Sequence, residues 1–321
     1  MCTALTLSAN DHYFGRNLDL NFTYKESVTI LPRNYPLIFR KAGIISSHYA
    51  MIGMATIADG YPLYYDATNE HGLSMAGLNF PNNAIYHPVD DSQTNIAPFE
   101  FIPWILCQCA SVEDALLNLR DLRIGAIAFS EEFRLTPLHW IIADHNRCIT
   151  VEPMRNGLAI YENSVGVLTN NPPFDYHLEN LKNYTHLSPN EPNKSHWSNA
   201  KPTSFGTGAI GLPGDFSSAS RFIRAAFINS NAVFGDQDEE NIMQFFHVLQ
   251  SVQQVKGAVR HDGENHITVY SSCCNATKGV YYYNTYNNIQ PTGISMHKAD
   301  LNSSELISYP LRNKANILME N

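Results

Sequence analysis

Residues 1–22 read MCTALTLSANDHYFGRNLDLNF. Two strand-like runs, CTALTLS and HYFGRNLDL, flank the turn-prone Ala9-Asn10-Asp11, the pattern of a β-hairpin. Such a hairpin returns Arg16 and Asp19 toward Cys2 on the strand that pairs with the first. Removal of Met1 would make Cys2 the first residue, with its thiol and its α-amino group on one carbon. A free cysteine titrates near pH 8.5 and an α-amino group at about 7.7–8.0, so the amine is a base suited to neutral pH and already beside a nucleophile. A terminal amine replacing histidine is a recognised way to activate a nucleophile. A guanidinium nearby lowers the thiol pKa further, and a carboxylate can orient the amine. Arg16 and Asp19 are the right types for both tasks. An ordinary strand with a buried ion pair would use the same residues. With only Met1 ahead of Cys2, simple methionine removal is expected to suffice, with no self-cleaving propeptide.

Outward from the hairpin, SVTILPR, HYAMIGMATIA and GLSMAGLNF read as further strands bounded by turn formers. FEFIPWILCQC and SVEDALLNLRDL read as a pair of helices, the second opened by Ser111 and an acidic first turn. Strands resume with LHWIIADH, CITVEP and GLAIY, the first two forming a hairpin at His145-Asn146. FDYHLENLKNY predicts a helix, and residues 187–208 a polar loop rich in Pro, Asn and Ser. SSASRFIRAAFINS predicts a serine-capped helix. Apolar residues at 242, 245, 246 and 249 give the next helix its buried face. ITVYSS and GVYYYNTY close the chain with strands. Blocks of strands alternating with paired helices are not βαβ repeats. They indicate an α+β protein with antiparallel sheets covered by segregated helices, expected to form one domain over 1–321.

Composition excludes several classes. The 21 basic and 30 acidic residues give a net charge of −9, which argues against sequence-independent nucleic-acid binding. No apolar run reaches the roughly 20 residues needed to cross a bilayer, so no membrane association is expected. The N-terminus has neither a basic nor an apolar leader segment, which points to a cytoplasmic protein. The sequons at Asn21, Asn183, Asn193, Asn275 and Asn302 are then chance matches. Cys107, Cys109, Cys148, Cys273 and Cys274 read as buried reduced thiols. No second cysteine pair stands at zinc-site spacing and the 13 histidines form no HExxH, so no metal or cofactor is expected. GTGAIG at 206–211 matches a dinucleotide fingerprint in letters, but it follows a loop and runs into LPGDF. GLSMAG at 72–77 misses the Gly-x-Ser-x-Gly elbow by one position. The absence of a CxxC argues against a thiol-redox protein.

Three later stretches join the opening hairpin: GLSMAGLNFP with Asn79, VGVLTNNPPFDY with Asn170 and Asn171, and GLPGDFSSASRFIR with Arg221. Together with MCT, FGRNLD and NEHGLSMAGLNF, they resemble the choloylglycine hydrolase family of bile salt hydrolases and penicillin V acylases. The resemblance runs from Cys2 into the YYYNTY region. It implies the four-layer αββα sandwich of N-terminal-nucleophile hydrolases. Cys2 would attack an amide and form a thioester, Asp19 would hold the α-amino group and Arg16 would sit by the thiolate. Asn79 and Asn170 would stabilise the oxyanion and Arg221 would support the charged site; Asn171 is not counted. Asn79 resembles the bile salt hydrolases at a position where penicillin V acylases tend to carry Tyr, which favours conjugated bile salts over penicillin V or another N-acyl amide. A steroid needs an apolar wall, and the implied loops supply Leu18, Leu20, Phe22, Ile57, Tyr64, Tyr65, Ile127, Phe129 and Leu135. The resemblance also implies a homotetramer. A steroid-binding protein without catalysis would be expected to lack Cys2, Arg16 or Asp19, and all three are present.

Overall fold

A computed structural model describes residues 1–192 and 204–321. Its two large sheets are built from β1 (Cys2–Ser8), β2 (His12–Leu20), β3 (Ser27–Leu31), β4 (Met51–Ala58), β5 (Tyr61–Asn69), β6 (Ser74–Asn79), β7 (Leu138–Ala143), β8 (Cys148–Met154), β9 (Gly157–Glu162), β10 (Val167–Leu168), β11 (Ile267–Asn275), β12 (Val280–Thr285), β13 (Asn288–Ser295) and β14 (Ile307–Pro310). The helices are α1 (Phe101–Leu106), α2 (Val112–Asn118), α3 (Phe174–Leu181), α4 (Ser218–Asn231) and α5 (Asp238–Gln250). The first sheet runs β10-β1-β2-β11-β12-β13 and the second β9-β8-β7-β6-β5-β4-β3-β14. Every pairing in both is antiparallel.

Side-chain alternation sets the layers. On the second sheet Ile52, Met54, Ala76, Leu78, Ile141 and Ala143 join the core that contains the first sheet. Their neighbours Met51, Met75, Trp140 and Ile142 turn the other way, onto Phe101, Ile105 and Leu106 of α1 and Val112 of α2. Helices α4 and α5 cover the outer face of the first sheet, touching β1, β2, β10 and β11. The order is therefore helix, sheet, sheet, helix: the αββα sandwich.

Local chemistry explains most boundaries. Ser111 accepts a hydrogen bond from the Asp114 N–H at 3.1 Å, and Ser217 accepts one from Ser220 at 3.3 Å, as N-caps should. The apolar positions 242, 245, 246 and 249 of α5 are all buried. In the β7–β8 hairpin the Asp144 carboxylate accepts from the Asn146 and Arg147 amides at 2.8 and 2.9 Å, forming the turn. Gly15 admits β11, because a Cβ there would meet the Ser272 carbonyl oxygen at 2.0 Å.

The helix expected over FEFIPWILCQC is shorter than its sequence suggests. It stops at Leu106, where Asn69 Nδ2 donates to the Leu106 and Cys109 carbonyls at 2.9 and 2.7 Å and takes over the helix end. Part of the loop expected over 187–208, with the Asn193 sequon, lies outside the described residues.

Candidate active site

The β1–β2 ladder places Cys2 opposite Leu18 and Ala4 opposite Arg16. Directly opposed residues share a sheet face. Cys2, Arg16 and Leu18 therefore look toward the second sheet, while Thr3 and Asn17 look toward α4 and α5. Met1 is still peptide-bonded to Cys2 here and continues the ladder. Its amine donates to the Asp19 carbonyl at 2.8 Å and its carbonyl accepts from the Asp19 N–H at 2.9 Å. Cys2 is almost fully buried.

A ring of hydrogen bonds encloses Cys2. Its N–H donates to Asn170 Oδ1 at 2.8 Å. Arg221 reaches the same oxygen through Nη2 at 2.8 Å, and through Nη1 it donates to the Cys2 carbonyl at 2.5 Å and Thr3 Oγ1 at 2.6 Å. Two donors converging on one atom of Asn170 fix its amide orientation. Nδ2 then points away from Arg221, donates to the Asn79 carbonyl at 2.7 Å and keeps a second hydrogen. Arg221 comes from the first turn of α4, whose N-terminus Ser217 caps. Burial lowers its pKa, with Asp19 and Cys2 favouring the charge.

Arg16 is wholly buried and bridges the two sheets. Its Nη1 donates to the Tyr65 and Gly77 carbonyls at 2.9 and 2.6 Å. Burial opposes its charge, but Cys2, Tyr270, Asp66 and Asp19 outweigh that and hold its pKa above the ordinary value. Burial raises the Asp19 carboxyl, against the pull of Arg221, the terminal amine, Thr268 and Arg16. Thr268 donates to Asp19 Oδ1 at 2.6 Å, and Oδ2 has no hydrogen-bond partner among the described residues. A bulge at Val269 sets Thr268 opposite Asp19 and Tyr270 opposite Leu18.

Cys2, Arg16, Asp19, Asn170 and Arg221 thus meet at one end of the first sheet. Asn79 reaches the group through its main-chain carbonyl and exposes its side chain at the end of β6. A cavity of about 900 Å³ opens at the far end of β1, against Leu7, Ser8, Tyr184, Phe227 and Asn229, and touches none of the six.

The expected apolar wall divides. Leu18 is buried beside Cys2, Leu20 and Tyr65 are half-buried, and the Tyr65 main-chain carbonyl accepts from Arg16. Phe22, Ile57 and Leu135 are exposed, while Ile127 and Phe129 are half-buried. Tyr64 departs from the expectation. It lies on the opposite face of β5 from Tyr65, packs in the α1-side core and donates its hydroxyl to the Thr29 carbonyl at 3.1 Å. The β4–β5 pairing shifts register here, Met54 facing Asp66 and Ala55 facing Tyr64, so Tyr65 is an extra, bulged residue that turns to the first sheet with Asp66 while Tyr64 stays on the α1 side.

Sequence reading missed several supports. Asp66 accepts from the hydroxyls of Tyr270 and Tyr281 at 2.6 Å each and from Ser272 at 3.2 Å, beneath Arg16. His139 and Glu152 are paired and fully buried behind Asn170. Tyr24 and Phe133 extend the exposed aromatics: Phe22 meets Tyr24 edge-on at 4.6 Å and Tyr24 lies 6.0 Å from Phe133.

Compared with known proteins, the chain matches the family described as linear amide C–N hydrolases, choloylglycine hydrolase family, over residues 2–309. It is 49% identical over 318 residues to the bile salt hydrolase/transferase of Lactiplantibacillus plantarum, covering 98% of each chain. It is 39% identical over 317 residues to the bile salt hydrolase/transferase of Clostridium perfringens, covering 96% of each. Among solved structures, the mutant C2A conjugated bile acid hydrolase from Clostridium perfringens has a TM-score of 0.93 at 38% identity, over 100% of both chains. The penicillin V acylase from Agrobacterium tumefaciens has a TM-score of 0.76 at 18% identity, over 98% of this chain and 94% of the other, a likeness of fold.

Proposed function

The chain belongs to the choloylglycine hydrolase family of linear amide C–N hydrolases, and we propose that it acts through Cys2 as an N-terminal thiol nucleophile. The enzyme hydrolyses conjugated bile salts, cleaving the amide between the bile acid and its glycine or taurine. The observation that carries the mechanism is the closed ring Cys2 N–Asn170 Oδ1–Arg221–Cys2 carbonyl, which fixes the nucleophile's backbone against an amide donor.

Loss of Met1 turns the Cys2 nitrogen into a free amine. Asn170 Oδ1 and the Asp19 carboxylate then orient it. The amine takes the thiol proton and the sulfur bonds to the substrate carbonyl carbon. The resulting oxyanion accepts from amide donors of Asn79 and from the second hydrogen of Asn170 Nδ2. Each such donor contributes about 2.7–4 kcal/mol in comparable sites. The C–N bond breaks as the ammonium returns its proton to the departing glycine or taurine. Water then attacks the thioester, gives its proton to the amine, and the carboxylic acid leaves as the thiol is restored. Arg16, charged and immobile behind the sulfur, favours the thiolate.

The steroid contacts Leu18, Leu20, Phe22, Ile57, Tyr65, Ile127, Phe129 and Leu135, with Tyr64 supporting them from the other face. The chain works as one domain, in the cytoplasm, as a homotetramer of the kind the family resemblance implies. Intact mass of the purified protein, followed by amino-acid release from taurocholate, glycocholate and penicillin V, tests the reading. A mass lacking Met1 with release of taurine or glycine supports it. Cleavage of penicillin V alone would move the substrate to the acylase side. Full activity with Met1 retained would overturn the terminal-amine mechanism.

A further inference from the structure

The loop carrying Asn170 is held at four points of its backbone. The Thr169 carbonyl faces His139 Nε2 at 2.8 Å, and the Asn170 carbonyl faces His177 Nε2 at 2.9 Å. The Asn170 N–H donates to Ser218 Oγ at 2.8 Å. The Phe174 N–H donates to the Glu152 carboxylate at 3.1 and 3.2 Å to its two oxygens. His139 Nδ1 lies 2.9 Å from Glu152 Oε1, so the imidazole and the carboxylate form one unit that grips the loop on both sides of Asn170. Both side chains are completely buried, and Phe80 stacks on the imidazole with centroids 4.2 Å apart at 9°.

The chemistry of the partners fixes the protons. The Thr169 carbonyl only accepts, so His139 Nε2 carries a hydrogen. A second proton then lies between Nδ1 and Oε1. With every polar atom of the pair engaged, the imidazole ring cannot rotate without breaking a buried hydrogen bond, and neither can the carboxylate.

We propose that His139 and Glu152 are positioning residues for the reaction, a buried clamp that sets the height of the Asn170 side chain relative to the Cys2 sulfur. The inference rests on the reading of Asn170 as an oxyanion donor. Among the described residues neither side chain hydrogen-bonds to Cys2, Asn79 or Arg221. Each acts through the Thr169 carbonyl and the Phe174 amide, which bracket Asn170 in the chain. A donor displaced by about 1 Å loses rate on the order of 100-fold, so such a clamp controls turnover without contacting substrate.

The test separates hydrogen bonding from packing. Glu152→Gln keeps the clamp: its carboxamide oxygen accepts from Phe174 while its NH2 donates to Nδ1, leaving Nε2–H on Thr169. Glu152→Leu fills similar space and makes neither bond. The paired variant His139→Phe with Glu152→Leu removes both polar groups, so it leaves no unpaired buried side-chain charge and guards against failure of the single variant to fold. For each, kcat and KM for taurocholate are measured, with the affinity for a bile-acid aldehyde. The hemithioacetal that this aldehyde forms with Cys2 puts an oxygen where the oxyanion develops. Asn170→Ala is the reference.

The clamp predicts Glu152→Gln within about threefold of the parent. It predicts Glu152→Leu, or the pair where that fails to fold, lowered roughly 10- to 100-fold in kcat, with KM nearly unchanged and aldehyde affinity lowered in parallel. Parental kcat in the apolar variants, alongside an impaired Asn170→Ala, would overturn the clamp and leave the oxyanion reading standing. A Glu152→Gln enzyme as impaired as the apolar variants would also overturn it. Parental kcat in Asn170→Ala would instead remove the oxyanion reading beneath it.

Discussion

Asn170 Oδ1 accepts from both the Cys2 nitrogen and Arg221 Nη2, each at 2.8 Å, and that double acceptance decides what the other end of the amide can do. It turns Nδ2 to the Asn79 carbonyl and leaves its second hydrogen for the oxyanion of the proposed mechanism. Asn170→Asp keeps the acceptor for Cys2 and Arg221 but replaces the donor with a charge that repels an oxyanion. Its kcat is expected to fall as far as in Asn170→Ala, about 100- to 1,000-fold, while its melting temperature stays at or above that of Asn170→Ala, since Arg221 keeps its partner. Steady-state kinetics and thermal melting check the pair. An aspartate variant with most of its activity would show that Nδ2 is not an oxyanion donor.

Thr268, after Arg221 and the terminal amine, helps hold Asp19 ionised against its burial. Burial raises this carboxyl, and the Thr268 hydroxyl at 2.6 Å is one of the contacts that pull it down. Thr268→Val keeps the shape and removes that contact, so Asp19 rises further and takes up its proton at higher pH. A hydrogen bond to a charged group contributes about 1.5–3 kcal/mol, equivalent to about one pH unit or more. The acid limb of the kcat/KM profile should therefore move to higher pH by about one unit. An unmoved limb would show that Asp19 ionisation does not limit activity in that range.

How much of this was legible in the sequence depended on whether the signal was local. The opening hairpin, the caps at Ser111 and Ser217 and the buried face of α5 follow from turn chemistry, side-chain capping and periodicity within a few residues. Cys2, Arg16 and Asp19 were visible because one hairpin brings them together. Asn79, Asn170 and Arg221 came through family resemblance, since their meeting depends on sheet order and on where α4 starts. Thr268, Asp66 and the His139–Glu152 pair carry no local signature. Thr268 and Asp19 are 249 residues apart and face each other only because β11 inserts beside β2. Tyr64 and Tyr65 show the limit from the other side. Which of them turns to the first sheet depends on the position of β5 between two layers and on the bulge at Tyr65, and neither has a local signature.

Two buried histidines are expected to weaken the fold in acid. Burial lowers His12 to about 4, against a raising influence of Asp144, and lowers His177 to about 4, against its bond to the Asn170 carbonyl. Both lie below the ordinary histidine value of about 6.5, so between those pH values the unfolded chain binds more protons than the folded one. The contribution of these two histidines is thus complete above about pH 6.5 and is lost as pH falls toward 4, by on the order of 3 kcal/mol for each residue. His12→Gln removes one of the two groups. Its melting temperature should fall less steeply with decreasing pH across this window than that of the parent. Equal slopes in parent and variant would assign the acid lability elsewhere.

The exposed aromatics offer a last prediction, on substrate binding. Phe22, Tyr24 and Phe133 form a continuous rim, with Phe133 also 6.0 Å from Phe129. Phe22 and Tyr24 remain 48% and 39% exposed, a large apolar surface left open just beyond Leu20 on the strand that carries Arg16 and Asp19. Covering one aromatic side chain contributes on the order of 1.5–3 kcal/mol when complete, and part of that at an open rim. Phe133→Ala should then raise KM for taurocholate about fivefold or more and leave kcat nearly unchanged, because a contact made equally in ground and transition states affects binding alone. A small acyl substrate such as penicillin V, which covers less of the rim, should lose less. If kcat falls while KM holds, Phe133 acts on the chemistry instead. If both substrates lose equally, the rim is not the steroid wall.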